Sequence, residues 1–452
     1  MKVYSFSRGG ISFEDPSAPS RDDVDTAFLP ALSVIPLIQH PYGRSYPVVS
    51  IGDTVREGML VGRAQGRDSA NVHATVPGKV IKMVSWKMAG GQVNEGLVIR
   101  MEGSFGKLGK QEETFPWEGM LPSELQQSIA EFGVIEMEGE GRPVSDMITS
   151  IQEAPEPITL VVRCVFDDPW LAADYVLCKE RMNAVVEGSR IIARIIRAAR
   201  IIYAVSHREK ELGEQFIAEA GNWDPPSIHV PVGSKYPQRN RRELLFALRN
   251  YGKKEEIELG SIMILGPVTL AAVYDAVRMR KPAMDRYIAV GGSAVKNSQV
   301  LKVRIGTRFG EIFTQCGGFT KKPKRIATGS PLLGRAVMDL DEPVTKTSYG
   351  LFAFSDGPKV GIAPGICISC GECRDVCPIG LDPEEIYKDS WIGEKSGEDP
   401  AQIGAPTGRA GCHGCRCCDV VCPSRLPLSS SVSAPAAANE SGSISFQAHR
   451  GK

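Results

Sequence analysis

Nine of the chain's twelve cysteines fall in two short runs, "CISCGECRDVCP" from Cys367 to Pro378 and "CHGCRCCDVVCP" from Cys412 to Pro423. Thiolates are soft, anionic ligands. Two runs this dense, in a reducing compartment, point to bound metal rather than to disulfides.

Eight of these cysteines obey the spacing C-x2-C-x2-C-x3-C-P, which resembles that of bacterial-type ferredoxins. Three thiolates on one tight loop can cap three corners of an Fe4S4 cube, and the remaining iron then needs a distant ligand. The last cysteine of the other run supplies it. The expectation is one cluster on Cys367, Cys370, Cys373 and Cys422, and a second on Cys412, Cys415, Cys418 and Cys377. Two zinc sites are the competing reading, because C-x2-C pairs also suit zinc. A third cysteine so close crowds a tetrahedral site, however, and zinc has no use for the closing Cys-Pro. Cys417 breaks the spacing and reads as a spare thiol. His413 reads as an exposed residue or as a hydrogen-bonding neighbour of a cluster. Cys164, Cys178 and Cys316 stand alone and read as small buried apolar residues.

These loops must be carried by a larger frame. At 452 residues the chain is long enough for several domains, and its 53 basic and 53 acidic residues leave no net charge. Nucleic acid is therefore an unsuitable partner. The N-terminal "MKVYSFSRGG" lacks the apolar run of a signal peptide, and no stretch of about 18 apolar residues is available to span a bilayer.

The patterning predicts a multidomain α/β plus all-β architecture. Residues 1–42 read as an N-terminal extension. Residues 43–110 alternate short β-branched runs with glycine turns, a small β module resembling the barrel-sandwich carriers of biotin and lipoate. No lysine lies between Gly58 and Lys79 to carry such a cofactor. Residues 120–285 alternate apolar strands with helices, predicting a parallel sheet. Within them Arg190, Arg194 and Arg197 are expected on one solvated helical face. Residues 286–355 read as a small β-rich domain with a helix near 308–316. The cluster domain follows at 356–428, and a Ser/Ala-rich tail at 429–452 is expected to be disordered.

Taken together, the layout resembles the C subunit of the Rnf electron-transport complex. The match is carried by "RGGISFEDP" (Arg8 to Pro16), "VIPLIQHPYGRSYPVVSIGDTVREGMLVG" (Val34 to Gly62), "KYPQ" (Lys235 to Gln238), "YDAV" (Tyr274 to Val277), "VKNSQVLKVRIGT" (Val295 to Thr307), "PVTKTSYG" (Pro343 to Gly350) and the two cysteine runs. The resemblance implies a flavin domain like that of respiratory complex I, followed by a β-grasp domain. It also implies a place on the cytoplasmic face of the cell membrane among the subunits of a redox-driven ion translocase. FMN and NADH would then sit in the α/β domain, with Gly133, Gly139, Gly141, Asp168 and Lys235 at the matching cofactor-binding positions.

This chain departs from that family's pattern. The loop G-x-x-G-x-G-G-x-G-F-P becomes "GVIEMEGEGRP", Gly133 to Pro143, with Glu136 and Glu138 in place of glycines and Glu140 as a third carboxylate. A carboxylate about 4 Å from a phosphate costs on the order of 4 kcal/mol at an effective dielectric near 20. The stretch therefore reads as a surface loop of a domain that has given up its FMN. Likewise N-G-A-E-x-E-P-Y becomes "RCVFDDPW", Arg163 to Trp170. The Gly-Gly-Glu after "KYPQ" becomes Arg239, Asn240 and Arg241, and an asparagine before "YDAV" becomes Gly266. Two functions compete: electron input from NADH through FMN, or a cluster wire fed by a soluble ferredoxin or flavodoxin. The basic segments "KKPKR" (Lys321 to Arg325) and "RNRR" (Arg239 to Arg242) read as solvated loops, the alternative being a surface that steers an acidic carrier.

Overall fold

Each stretch with a strong period adopts the predicted element type, but the modules begin elsewhere than their sequence boundaries suggest. The computed structural model describes residues 2–22, 24–87, 93–106, 113–357, 365–388 and 411–433. The tail expected to be disordered lies, beyond residue 433, outside the described residues. The chain divides into two compact units, one of Met1–Phe6 with Ser12–Gly357 and one of Ser7–Ile11 with Pro358–Lys452. No described helix is long and apolar enough to cross a membrane.

In the first unit a four-stranded sheet, ordered Leu32–Pro36, Val93–Met101, Gly78–Lys87, Thr54–Val55, faces a three-stranded sheet of Ser45–Pro47, Leu60–Ala64 and Val72–His73. Alternate residues point inward, so Ile35, Val55, Val61, Val80, Leu97 and Ile99 form one core. This module reaches back to Leu32, ahead of the expected boundary at 43. The supposed N-terminal extension also contributes Val24–Thr26, which pairs in parallel with Gln299–Arg304 at the edge of the β-grasp sheet. That sheet is ordered Val24–Thr26, Gln299–Arg304, Asp285–Gly291, Gly350–Phe354, Arg325–Thr328, Arg335–Ala336. The helix Phe309–Gln315 packs on it through Phe309, Ile312 and Phe313.

Between these modules lies a four-stranded parallel sheet ordered Ser227–Val232, Arg200–Ser206, Ile158–Cys164, Ser261–Leu265. Its central strand "ITLVVRC" is apolar on both faces, because helices cover both sides. The helix Met182–Ile195 crosses Pro267–Arg278 so closely that a Cβ on Gly188 would lie 2.0 Å from the Leu270 carbonyl oxygen. Glycine is required at that crossing, which fixes where the second helix begins.

The solvated arginine face is a correction. Arg190 donates to the Ala220 carbonyl and lies over the Trp223 ring. Arg194 binds the Met120 carbonyl and lies over Trp117, and Arg197 falls past the helix end with φ +51. The two helical arginines tie chain segments to the helix through their stems and heads. The lone cysteines are buried as expected, Cys164 and Cys178 with sulfurs 3.9 Å apart.

Candidate functional site

In the second unit the two cysteine runs fold into loops with matching backbones. Three pairs of equivalent positions are left-handed: Ser369 and Gly414 before the second cysteine, Gly371 and Arg416 after it, and Gly380 and Arg425 three residues past the last. Each pair holds one glycine and one larger residue, so the reversal belongs to the loop geometry rather than to glycine alone. The reversals turn successive sulfurs inward. Short helices Glu372–Asp375 and Cys417–Val421 then start at Gly371 and Arg416.

The loops exchange their last cysteines. One small pocket is lined by Cys367, Cys370, Cys373 and Cys422. Another is lined by Cys377, Cys412, Cys415 and Cys418, with Cys417 and His413 also on its wall. Among the described residues no three His, Cys, Asp or Glu side chains converge to hold a single metal ion. Four thiols on the wall of each pocket are a donor set of the kind an Fe4S4 cube takes. Backbone N–H groups reach sulfur at symmetric places, Leu381 to Cys377 Sγ at 3.3 Å and Leu426 to Cys422 Sγ at 3.5 Å, with Gly414 to Cys412 Sγ at 3.4 Å. Such bonds favour the reduced, more negative cluster. Part of "RGGISFEDP" also belongs to this unit: the Gly10 N–H donates to the Val376 carbonyl, and a Cβ on Gly9 would strike that oxygen at 2.6 Å. Nothing in the residue types announced that role.

Gly371, at φ +78, tests the loop geometry. A Gly371→Val variant places a β-branched residue in the left-handed region at a cost of roughly 1–2 kcal/mol. It should release iron to a chelator faster than wild type, while Arg416→Gly should hold it at least as well. Equal release rates would argue against this backbone role.

The stretch Gly133–Pro143 is not a surface loop. Glu136 and Glu138 are buried at 6% and 7% exposure, and of the three glutamates only Glu140 is exposed, accepting a hydrogen bond from the Tyr42 hydroxyl. The Glu138 carboxylate lies at the N-terminus of Pro267–Arg278, accepting from Val268 N at 2.5 Å, from Thr269 N at 3.2 Å and from the Thr269 hydroxyl. That helix has no capping side chain of its own, because its N-cap is Gly266. A Cβ on Gly266 would lie 2.2 Å from Glu138 Oε1. Glu136 accepts from the backbone N–H groups of Glu138 and Gly141 and pairs with Arg163 at 3.4 Å. Arg163 also donates to the Glu138 carbonyl. Arg239 is internal: it pairs with Asp174 at 3.1 Å, donates to the Glu138 carbonyl, and offers its backbone N–H to Asp167. The "RNRR" surface patch is therefore corrected at its first residue, although Arg241 and Arg242 are exposed.

The other expected cofactor positions have structural duties. Gly133, at φ +64, comes so near the barrel-sandwich module that a Cβ would lie 2.1 Å from the Asn71 carbonyl. A Cβ on Gly139 would meet the Glu136 carboxylate at 2.9 Å. Asp168 accepts from the Trp170 N–H and caps the turn Pro169–Leu171, and Lys235 is exposed. The N-terminal segment lies against the same turn: Trp170 Nε1 donates to Asp15 at 2.8 Å, Phe13 packs on Trp170 and Tyr236, and Arg21 donates to the Phe166 and Asp168 carbonyls. One oxygen each of Asp167 and Asp174 finds no partner among the described residues, positions a water would satisfy. The residues present do not fit FMN, since the helix terminus and glycine loop suited to its phosphate are filled by the chain's own carboxylates.

Burial raises three acids here. Glu138 is pushed up to about 7, with Asp174 and Glu136 adding to the effect. Asp167 is pushed to about 7 by burial and then by Asp168, and Asp168 to about 6 by burial. The folded protein keeps these protons at pH values where an unfolded carboxyl group, with a pKa near 4, has lost them. Their contribution to stability therefore falls as pH rises from about 4 to about 7, by about 1.4 kcal/mol per pH unit for each proton. His40 and His73, which burial holds down at about 4 and about 3, oppose this by adding stability as pH rises. The readout is therefore a difference: Glu138→Gln should make the change in Tm from pH 5 to pH 7 less negative than in wild type. A slope unchanged by that substitution would contradict the raised Glu138.

Comparison with known proteins covers nearly the whole chain. Residues 5–104 match the RnfC barrel sandwich hybrid domain, 129–275 the Nuo51 FMN-binding domain, 287–338 the SLBB domain and 365–426 the 4Fe-4S dicluster domain. The C subunit of the ion-translocating oxidoreductase complex of Rhodobacter capsulatus is 30% identical over 405 residues, 87% of this chain and 77% of that protein. The C subunit of the proton-translocating ferredoxin:NAD(+) oxidoreductase complex of Clostridium ljungdahlii is 27% identical, over 86% of this chain and 84% of its own length. The Na(+)-translocating counterpart from Acetobacterium woodii is 27% identical, over 79% and 81%. Among solved structures, the air-oxidized NAD+-reducing [NiFe]-hydrogenase aligns with a TM-score of 0.47 at 15% identity, covering 61% of this chain and 55% of that one.

Proposed function

Because the chain belongs to the family of C subunits of ion-translocating oxidoreductase complexes, we propose that it is an electron wire in such a complex. Electrons pass singly through two [4Fe-4S] clusters, one held by Cys367, Cys370, Cys373 and Cys422, the other by Cys377, Cys412, Cys415 and Cys418. The observation that carries this reading is the pair of cavities lined by those two crossed sets of sulfur.

The clusters would accept and release one electron at a time, and this chain's part is to hold and tune them. The loops aim the thiolates, the N–H groups of Leu381, Leu426 and Gly414 stabilise the more negative state, and the crossed ligands make the two cubes neighbours. A soluble ferredoxin or flavodoxin supplies or receives electrons on one side, and membrane partner proteins do so on the other, at the cytoplasmic face. Exposed Lys321, Lys322 and Lys324 suit an acidic carrier. Membrane attachment comes from those partners.

The experiment is anaerobic mixing of the oxidised protein with a reduced ferredoxin or flavodoxin, and separately with NADH, while following bleaching of the cluster absorbance. The carrier should bleach it and NADH should not. Rapid bleaching by NADH would instead support the catalytic reading, with NADH and FMN in the α/β domain.

A further inference from the structure

The four departures from the flavin-domain pattern contact one another. Glu138 stands where a glycine is expected, and Gly266, where an asparagine is expected, leaves the space its carboxylate fills. Glu136 replaces a second glycine, and Arg163, in an asparagine's place, pairs with it. Arg239, in place of a glycine, holds the Glu138 carbonyl and pairs with Asp174. Independent decay would leave orphaned groups. Here Glu136 pairs with Arg163, Arg163 and Arg239 both hold the Glu138 carbonyl, and Gly266 leaves room for the Glu138 carboxylate.

We propose that the seat suited to an FMN phosphate has been rebuilt as an internally liganded site, in which the Glu138 carboxylate takes the place of the phosphate at the N-terminus of Pro267–Arg278. A phosphate at a helix start is held by backbone N–H groups and flanking cations. Glu138 has both: the N–H groups of Val268 and Thr269, and the guanidinium groups of Arg163 and Arg239 at its own backbone carbonyl. The domain keeps the flavin-domain fold and fills the seat with its own carboxyl oxygens. This deepens the reading of a flavin-free wire, and the two fail separately, since iron content tests the clusters and anion response tests this seat.

The test is Glu138→Ala in the full chain, with Tm measured against inorganic phosphate, formate and chloride at matched ionic strength. Removing the carboxylate leaves the two N–H groups and a cavity open to a small anion. Tm should fall by several degrees, and phosphate or formate should restore part of that loss without raising wild-type Tm to the same degree. A folded Glu138→Ala protein whose Tm ignores both anions would overturn the proposal, as would wild-type protein that binds FMN stoichiometrically. Should Glu138→Ala fail to fold, Glu138→Gln decides by hydrogen exchange. Faster exchange of the Val268 and Thr269 amides than in wild type supports the seat, and unchanged exchange overturns it.

Discussion

Cys377→Ala should abolish the cluster built on the second cysteine run, although Cys377 belongs to the first. Iron content is expected to fall from about eight to about four atoms per chain. Double variants make the crossing visible. Cys377→Ala combined with Cys412→Ala removes two ligands of one cluster and should leave about four irons, whereas Cys377→Ala combined with Cys367→Ala strikes both clusters and should leave almost none. If each run instead kept its own fourth ligand, these two results would be exchanged. The sulfurs lining the two cavities carry this prediction, with Cys377 among the second run's thiols and Cys422 among the first run's.

Arg239→Ala should be among the most destabilising substitutions in the α/β domain, by about 3–5 kcal/mol. Asp174 is 2% exposed, and Arg239 is the partner that both Nη atoms bring to it at 3.1 Å. Removing the guanidinium leaves a buried carboxylate without its counterion, beside Glu138. Arg142, on the neighbouring turn, is the contrast: its pair with Asp146 is only partly buried, the arginine side chain 36% exposed, and Arg142→Ala should cost under about 1 kcal/mol. Anaerobic denaturant titration followed by tryptophan fluorescence reads both. Similar small losses for the two variants would show that Arg239 is not the internal counterion described here.

The cluster loops were legible because a thiolate's spacing is its chemistry. Eight sulfurs at fixed intervals show which residues are of the ligand type before any backbone is drawn, and the ferredoxin-like spacing suggests the crossed sets that the iron counts above test. The strands "ITLVVRC" and "RIIYAVS" were legible for a similar reason, since continuous apolar runs between helical stretches leave little but a parallel sheet.

What the sequence concealed were contacts made at long separation. Glu136 and Glu138 look like surface carboxylates in a polar, glycine-rich stretch, and like-charge repulsion was the natural reason for them to exclude a phosphate. Their real partners lie at Arg163, Gly266, Val268 and Thr269, more than twenty residues away, and burial reverses the argument from repulsion to substitution. A usable signal was present: two new acids, two new arginines and one vanished side chain all fall at positions of a single expected pocket. Arg190 and Arg194 misled in the same way, because helical periodicity tells which face a residue is on but not what covers that face. The edge strand Val24–Thr26 was hidden for another reason, as three residues are too short for any period to show.

The most direct test of the central claim is iron and acid-labile sulfide content, with EPR after reduction, on anaerobically prepared full-length protein assayed also for zinc and flavin. The account predicts about eight iron and eight sulfide per chain, a reduced spectrum broadened by two interacting paramagnets, and no flavin. Colourless protein, a spectrum silent on reduction, or zinc in place of iron would contradict it.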